Sequence, residues 1–404
     1  MQTIEYLREL LLPGRIDAVM AHWGQRNMAP VANVLLQRLH PARHGGYTLA
    51  VTADIAGRST GFWLQVVDDP RTHADAARRS LAKSRRAQLD PTRSHRLVDL
   101  PSHGVVVRPA GLDERIPGLS LLATPERLRV VLSDCLGKPL RRLPDVELLS
   151  HRLGKRAVAR IHLGAARFIV KCYRDYSERA ATTFRHMQAL RDAGLRLADP
   201  VGYSEEWQLL VMQDVDGEAP ATADDSGRAG ELLAALHGCA PVTDSRHTSA
   251  EEIALLERWI DTIQGVGNAC AGRLDAALTA LRTELITTDA ACFRLSHRDF
   301  YEKQILLTTR DATLLDFDTL ALADPMLDLG NYAAHLDLRA CQEGGVSAPA
   351  VAACEAGYAR HLPVDTARLS AWRRAAALRL ACLYCLWPGP GNHTHSMLEI
   401  AHGR

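Results

Sequence analysis

Three polar side chains lie around two short apolar segments in the last third of the sequence. Asp299 precedes the segment QILLTT, Gln304 opens that segment, and Asp316 lies in the following segment ATLLDFD, 17 residues after Asp299. Both segments are bounded by turn-forming residues, so we expect them to pair as a β-hairpin. That pairing would bring Asp299, Gln304 and Asp316 to the same end of the hairpin.

This set of side chains suits phosphoryl transfer. A carboxylate can orient an attacking hydroxyl and take its proton, while oxygen ligands hold Mg²⁺ against the phosphates of a nucleotide. Mg²⁺ takes few protein ligands and completes its octahedron with water and phosphate, so one aspartate and one amide are enough. Upstream, Lys171 ends the apolar stretch Phe168-Ile169-Val170. Its ammonium could reach nucleotide phosphates from the end of a strand, and a solvated strand-end charge is the alternative.

The elements that must position these residues fall into three zones. Residues 1–140 are predicted to form an α+β, cap-like domain of unknown role. Its expected elements are the helices Ile4–Leu12 and Pro125–Leu136 and the strands Tyr47–Ile55 and Gly61–Val67.

Residues 141–215 are predicted to form a small twisted sheet with one helix. The helix is expected over Ser177–Ala193, where a serine can cap its start and Gly194 ends it. The expected strands are Glu147–Ser150, Ala157–His162, Arg167–Tyr173, Val201–Tyr203 and Gln208–Met212.

Residues 216–404 are predicted to be mostly helical around the two apolar segments described above. The expected helices are Gly227–His237, Glu251–Ile263, Leu274–Ile286, Leu327–Leu338, Pro349–His361 and Thr366–Trp387.

Composition excludes several classes of protein. With 47% hydrophobic and 24% charged residues among 404, the chain is neither disordered nor fibrous. A formal net charge of +1 and only 5% aromatic residues argue against a nucleic-acid partner. The longest late apolar stretch, Ala375–Trp387, contains Arg379 and is too short to span a membrane. Charged residues near the N-terminus argue against a secretion signal. We therefore expect a cytoplasmic protein.

Two features of the sequence have a structural and a chemical interpretation. The nine cysteines are odd in number and irregularly spaced, which favours free thiols. Cys382 and Cys385 have metal or redox spacing, but core packing within a helix is favoured because no second ligand pair accompanies them. The segment Arg71–Arg96 carries eight Lys or Arg against two Asp, hence +6, and is either a solvated helix face or a contact for an anionic partner.

Several motifs together resemble the aminoglycoside phosphotransferase and choline kinase-like superfamily of small-molecule kinases. The resemblance covers roughly residues 145 to 390. HRDFYEKQ (297–304) and LLDFD (314–318) resemble its H-x-D-x-x-x-x-N and D motifs. Three more segments match in order: LLVMQDVDG (209–217), the helix end LLAALH (232–237) and DPMLDLGN (324–331).

The resemblance implies a fold class. It is an α+β, two-lobed protein-kinase-like fold with a small antiparallel β N-lobe (141–215) and a mostly helical C-lobe (216–404). The extra N-terminal α+β domain (1–140) precedes it. The implied ligands are ATP and Mg²⁺.

The resemblance also implies roles for single residues. Asp299 would be the catalytic base, Asp316 the chief Mg²⁺ ligand and Lys171 the phosphate-binding lysine. Gln304 stands where the family usually has Asn, so its extra methylene would alter or abolish a second metal site. Asp318 would either assist the metal or cap the next turn.

Nucleotide contacts are implied elsewhere. The backbone at Gln213, Asp214 and Val215 would receive the adenine, and Gly154 would cradle phosphate in a loop that is not glycine-rich. Glu178 is the only acidic residue in the first part of its predicted helix. It is a candidate partner for Lys171, and a solvated helix-start charge is the alternative.

Two further residues of these motifs are expected to be structural. His297 would brace the catalytic loop rather than act as an acid or base. Asp328 would cap or anchor the helix that starts near Leu327.

The leading hypothesis is an ATP-dependent kinase that phosphorylates a hydroxyl group of a small molecule. The alternative is a nucleotide-binding pseudokinase with a regulatory or partner-binding role, suggested by Gln304 and by the uncertain partner of Lys171. A protein kinase is disfavoured, because Asp324 follows Asp316 by only eight positions and leaves no room for a peptide-docking segment.

The acceptor and the oligomeric state stay open. A helix with Glu251, Glu252, Glu257 and Asp261 could attract a cationic acceptor or be a solvated face, and a sugar or other polyol fits equally.

Overall fold

A computed structural model describes residues 7–41, 47–55, 57–66, 98–109, 113, 115–174, 177–287, 293–386 and 393–403. The basic segment Arg71–Arg96 and the first residues of the predicted helix Ile4–Leu12 lie outside these ranges. The chain forms two compact units. The first holds the described residues of Met1–Ala181, Val201–Gln213 and Leu386–Pro390, and the second holds the remainder.

The first unit begins with a helix and a five-stranded antiparallel sheet, in the order β1-β2-β3-β5-β4. The elements are α1 (Arg15–Asn27), β1 (Val31–Pro41), β2 (Tyr47–Ile55), β3 (Arg58–Val66), β4 (Val98–Leu100) and β5 (Val105–Pro109). The strand predicted over Tyr47–Ile55 is confirmed. β1 was not predicted, because two register shifts and a positive φ of 48° at Asn33 interrupt its alternation.

A second five-stranded sheet in the same unit has the order β6-β7-β8-β10-β9. Its strands are β6 (Asp145–Arg152), β7 (Arg156–Leu163), β8 (Ala166–Tyr173), β9 (Pro200–Ser204) and β10 (Leu209–Gln213). All five correspond to predicted strands, whose alternating burial is clearest in β7.

Two helices pack into the core of this second sheet: α2 (Gly118–Leu122) and α3 (Pro125–Cys135). Leu119 and Leu132 share one buried cluster with Val170 and Val211 of the sheet. The approach at Gly118 is close, because a Cβ there would lie 2.8 Å from the Cys172 sulfur. This core therefore draws on residues before position 140, and the three-zone division of the chain stays a prediction.

The second unit is mostly helical. Its helices are α4 (Arg179–Asp192, whose first residues belong to the first unit), α5 (Ala223–Gly238), α6 (Ser249–Gly265), α7 (Ala271–Thr287), α8 (Met326–Glu343), α9 (Ala348–Ala359), α10 (Thr366–Cys385) and α11 (Thr394–Ala401). All but α11 correspond to predicted helices, with ends that differ by a few residues. Thr222 and Thr248 cap α5 and α6 through complete capping boxes.

Short strands of the second unit form two small sheets. β11 (Arg246–His247), β15 (Ala321–Ala323) and β12 (Arg294–Ser296) make one, and β13 (Ile305–Leu307) pairs antiparallel with β14 (Ala312–Leu314). The predicted hairpin is therefore present, with Ile305 opposite Leu314. Both side chains are fully buried, which anchors the hairpin in the helical core.

The predicted packing role of the C-x-x-C pair is supported by its surroundings. Cys382 is buried within α10, and burial raises the pKa of its thiol. Burial also raises the pKa of Cys385 to about 12, so neither thiol is a ready nucleophile or metal ligand.

Among the described residues, no helix is long and apolar enough to cross a membrane.

Candidate active site

The hairpin brings two of the predicted residues to one place. Gln304 directly precedes β13, and its Nε2 lies 3.4 Å from Asp299 Oδ2. The Gln304 carbonyl accepts a hydrogen bond of 2.8 Å from the Leu315 backbone N–H, and Asp316 is the next residue. The hairpin therefore sets the backbone of Asp316 beside Gln304, at the end where Asp299 lies.

The loop that carries Asp299 is held by hydrogen bonds to its backbone. Asp328 of α8 accepts from the N–H groups of His297 and Arg298, at 2.7 and 2.6 Å. The Thr319 hydroxyl donates to the His297 carbonyl at 2.8 Å. Backbone groups on the N-terminal side of Asp299 are thus fixed, which limits the positions open to its carboxylate.

Asp328 is fully buried and also accepts a hydrogen bond of 3.1 Å from His237 Nε2. Burial alone would raise the pKa of Asp328, but the His237 hydrogen bond and the nearby His237 and His297 hold it below its ordinary value. Of the two roles expected of Asp328, the helix cap is wrong, because this carboxylate bonds to the loop and α8 has no side-chain cap. The other expected role is supported, since Asp328 anchors the helix to the loop of Asp299.

His297 makes the contact expected of a structural brace. Its ring is fully buried against Phe300 and Phe317, and Nε2 donates to the Leu315 carbonyl at 2.7 Å. His297 therefore ties the loop of Asp299 to the end of β14, just before Asp316.

Two residues of the site have left-handed backbone conformations. Arg298, just before Asp299, has a φ of 67°, and Asp316 has a φ of 59° and a ψ of 70°. Non-glycine residues adopt this region rarely and at a cost in free energy, and such residues concentrate at functional sites. The surrounding hydrogen bonds hold Arg298 in this conformation.

The donor groups at the hairpin end suit a hard cation. Asp316 and Gln304 offer carboxylate and amide oxygens, and Gln304 points its nitrogen rather than its oxygen at Asp299. Asp318 lies in the single turn Phe317–Thr319 and is half-buried. Among the described residues, no three or more His, Cys, Asp or Glu side chains are grouped to hold a metal by themselves.

Lys171 lies in the first unit, on the central strand β8. It is opposite Val158 of β7 and Leu210 of β10, and its side chain is only 6% exposed. The alternative of a solvated strand-end charge is therefore wrong for Lys171, because a lysine this buried is held among its neighbours.

Gly154 lies in the turn between β6 and β7 with a φ of 62°, a conformation that glycine adopts without strain. Its backbone N–H donates to the carboxylate of Asp113, a buried residue that sequence reasoning did not select. Asp113 Oδ2 also lies 3.2 Å from His151 Nε2. Burial would raise the pKa of Asp113, but His151, Arg108 and the Gly154 N–H lower it. A phosphate contact by this N–H, which stays a prediction, requires it to leave Asp113.

The helix expected to carry Glu178 begins one residue after it. α4 starts at Arg179, whereas Glu178 is exposed and has a φ of 49°. The placement of Glu178 on the helix is therefore wrong, and the first acidic residue of α4 is Asp192 at its end. The pairing of Glu178 with Lys171 stays a prediction.

Gln213 is the last residue of β10, and Asp214 and Val215 follow in an irregular segment. Gln213 Nε2 donates to the Arg167 carbonyl at 3.2 Å. Further on, Glu218 exchanges two backbone hydrogen bonds with Leu307, which tie the segment to β13. The contact of Gln213, Asp214 and Val215 with adenine stays a prediction.

The acidic cluster on α6 is largely occupied by contacts within the protein. Glu251 completes the capping box of the helix. Glu252 is buried between Arg379 and His247, and Glu257 pairs with Arg282. Asp261, the fourth acid, is exposed.

Asn331 is a further residue of the site that the sequence did not identify. It is buried, and its Nδ2 donates to the Phe300 carbonyl at 2.8 Å. Its position three residues after Asp328, almost one helical turn, is a signal that could have placed it on the same face of α8.

Comparison with known proteins identifies a family and similar folds. A sequence model described as "Phosphotransferase enzyme family" matches residues 145–375. A search of curated protein sequences found no significant match.

Solved structures with a similar fold include three small-molecule kinases. Choline kinase LicA from Streptococcus pneumoniae is 14% identical, with a TM-score of 0.52 over 69% of this chain and 99% of that one. Ethanolamine kinase from Plasmodium vivax is 10% identical, with a TM-score of 0.51 over 70% and 88%. A microcompartment-associated aminopropanol kinase is 18% identical, with a TM-score of 0.50 over 64% and 90%. The predicted α+β, protein-kinase-like fold class is confirmed.

Proposed function

The chain belongs to the phosphotransferase enzyme family, and we propose that it transfers the γ-phosphate of ATP to a hydroxyl group of a small molecule. One observation carries this proposal beyond the family. The loop of Asp299 is held rigidly from α8, and Gln304 lies 3.4 Å from the Asp299 carboxylate at the end of the hairpin that leads to Asp316. Phosphoryl transfer depends on positioning of this kind, because the protein does little covalent chemistry.

In this proposal Asp299 acts as the catalytic base. Its carboxylate accepts a hydrogen bond from the acceptor hydroxyl and takes that proton as the new oxygen–phosphorus bond forms. The bond between the γ-phosphorus and the bridging oxygen breaks, and ADP leaves with the electron pair of that bond. His297 stays out of proton transfer, since its Nε2 is committed to the Leu315 carbonyl.

The nucleotide and its metal would be bound by the other predicted residues. Mg²⁺, when bound, neutralises phosphate charge, and Asp316, Gln304 and Asp318 would supply oxygen donors to hold it. Lys171 supplies a fixed positive charge to the phosphates. Gln213, Asp214 and Val215 contribute the adenine contact, Gly154 contacts phosphate, and Glu178 is the candidate partner of Lys171.

Substitution of the two carboxylates tests this proposal. We expect Asp299→Asn and Asp316→Asn each to lower ATP turnover by about 100-fold or more, since both remove the charge on which positioning and metal binding depend. Asp261→Asn, at the exposed acid of α6, is the matched control and is expected to retain activity. Full turnover by Asp316→Asn would show that the assignment of the site is wrong.

The acceptor is to be found by measuring ADP release with panels of amino alcohols, aminoglycosides and sugars. The three similar kinases are named for choline, ethanolamine and aminopropanol, so amino alcohols form the first panel. Because the acids of α6 are mostly occupied within the protein, neutral polyols belong in the same screen.

The pseudokinase alternative is supported by α4, which has no acidic residue before Asp192. A protein of that kind would bind nucleotide and act on a partner without turnover. Thermal-shift measurements with ATP and Mg²⁺ followed by the acceptor screen separate the two functions. Stabilisation by nucleotide without ADP release on any acceptor would favour the pseudokinase.

A further inference from the structure

A row of buried hydrogen bonds begins at the loop of Asp299 and crosses three helices. Asn331 of α8 donates from Nδ2 to the Phe300 carbonyl at 2.8 Å, and its Oδ1 accepts from Nη2 of Arg379 in α10. Arg379 Nη1 donates to Glu252 Oε1 of α6 at 2.9 Å. Glu252 Oε2 lies 2.8 Å from His247 Nε2.

The two ends of this row are enclosed, and Arg379 between them is partly exposed. Asn331 and Glu252 are each 1% exposed, and the Arg379 side chain is 24% exposed. A buried ion pair is seldom a net gain in stability over apolar residues of the same size. Stability alone therefore does not account for the Arg379–Glu252 pair.

The geometry at Asn331 offers that explanation. An asparagine amide can rotate by 180° about its last bond and exchange its oxygen for its nitrogen. Arg379 can only donate, so its bond to Oδ1 keeps Nδ2 directed at the Phe300 carbonyl. Glu252 in turn holds the Arg379 guanidinium in place with its charge.

The Phe300 carbonyl follows Asp299 in the chain, whereas the backbone N–H groups that Asp328 binds precede it. The backbone torsions of Asp299 thus lie between a fixed N–H at Arg298 and a fixed carbonyl at Phe300. Rotation at Asp299 would strain one of these bonds. Both sides must be held for the carboxylate to keep one position.

We propose that Asn331 and Arg379 are positioning residues for Asp299: Arg379, held by Glu252, orients the Asn331 amide, which fixes the Phe300 carbonyl. The inference rests on the proposed function for its effect on catalysis. Neither side chain needs to contact substrate, so their loss should lower kcat and leave the KM for ATP nearly unchanged.

Arg379→Met and Asn331→Ala test this on the full chain. We expect each to lower kcat by about 10- to 100-fold, because a displacement of about 1 Å at a catalytic group has an effect of that size. The KM for ATP is expected to stay within about threefold. Arg379→Lys keeps the charge but lacks the planar fork with which the guanidinium reaches both acceptors, so it should fall between wild type and Arg379→Met.

Arg374→Met is the matched control. Arg374 lies on the same helix α10 and pairs with Glu284 of α7, but it makes no hydrogen bond to the loop of Asp299. It should keep the wild-type kcat. Arg379→Met leaves Glu252 buried and charged, and the variant could fail to fold for that reason. In that case the double variant Arg379→Met/Glu252→Gln, which removes the buried charge, takes the place of Arg379→Met in the test.

Hydrogen exchange provides a readout that does not depend on activity. We expect Arg379→Met to speed amide exchange in residues 297–304 while Arg374→Met leaves it unchanged. Faster exchange in a protein that turns over no acceptor would overturn the proposed function and keep the positioning role. Wild-type kcat or unchanged exchange in both Arg379→Met and Asn331→Ala would overturn the positioning role itself.

Discussion

Asp328 serves two parts of the protein with one carboxylate. It accepts hydrogen bonds from two backbone N–H groups beside Asp299 and from His237 at the end of α5. The family motifs LLAALH and DPMLDLGN, separate in sequence, meet in this contact. A buried carboxylate with three donors stays ionised, and its donors stay satisfied.

Removal of this carboxylate should destabilise the protein strongly. We expect Asp328→Ala to lower the free energy of unfolding by about 3 kcal/mol or more, because it leaves three buried donors unpaired at about 1–3 kcal/mol each. Urea denaturation at pH 7 measures the change. Asp261→Ala, at an exposed position, should change it by less than about 0.5 kcal/mol. A similar small change in Asp328→Ala would contradict the role given to these bonds.

Glu252 should make the free energy of unfolding depend on pH in the acidic range. Burial opposes its ionisation, but the Arg379 charge and the His247 hydrogen bond lower its pKa from 4.5 to about 2. A lowered pKa in the folded state means that the stabilisation is fully present above the unfolded pKa and is lost as the pH falls towards 2. That loss is on the order of 3 kcal/mol.

Unfolding measured between pH 6 and pH 2.5 checks this dependence. The wild type should lose more stability over that range than Glu252→Gln, which has no carboxyl to protonate at this position. Parallel curves for the two proteins would show that Glu252 has an ordinary pKa.

At the scale of elements, helices α5 and α9 meet through glycine. A Cβ on Gly230 of α5 would lie 2.0 Å from the Cys354 carbonyl oxygen, and one on Gly357 of α9 would lie 2.0 Å from that of Gly227. The two backbones can pack this closely only because neither position has a side chain. The contact fixes the position of α5, whose last two residues are His237 and Gly238.

Gly230→Ala is therefore expected to destabilise the protein by about 3 kcal/mol or more, since the added methyl group overlaps backbone that cannot move aside. Gly272→Ala in α7 is the control. A Cβ there meets nothing within 4 Å, and alanine favours the helix by up to about 1 kcal/mol. Thermal and urea unfolding of both variants give the comparison. Equal stability of the two variants would exclude the close contact.

At the scale of the whole molecule, the core of the second sheet depends on residues that precede it. Helices α2 and α3 contribute buried leucines to the cluster that holds β7, β8 and β10. A phosphotransferase unit that starts at residue 141 would expose this apolar surface. Such exposure favours aggregation.

Truncation tests this dependence directly. A chain that starts at residue 141 is expected to be less soluble and to melt at a lower temperature than one that starts at residue 113, which keeps Asp113, α2 and α3. Soluble yield and melting followed by circular dichroism provide the measurement. Equal yield and melting temperature would show that the sheet does not need these helices.

Local patterns predicted most strands and helices of residues 145–385. Alternation marked β2 and β3, and helical periodicity marked α5 to α10, because burial of one face sets both patterns. Two of the missed elements are β1 and β5, whose patterns are interrupted and uniform, respectively. β1 contains register shifts, and β5 is buried at every position, so neither alternates.

The sequence by itself determined the order of the motifs, the family and the residue types proposed to take part in phosphoryl transfer. Only the tertiary structure decided their partners: Asp113 for the Gly154 N–H, Asp328 for the loop of Asp299, and Arg379 for Asn331. These pairs are 41, 31 and 48 positions apart. Periodicity reports which face of an element is buried, whereas a hydrogen bond over such a separation depends on how the elements pack against each other.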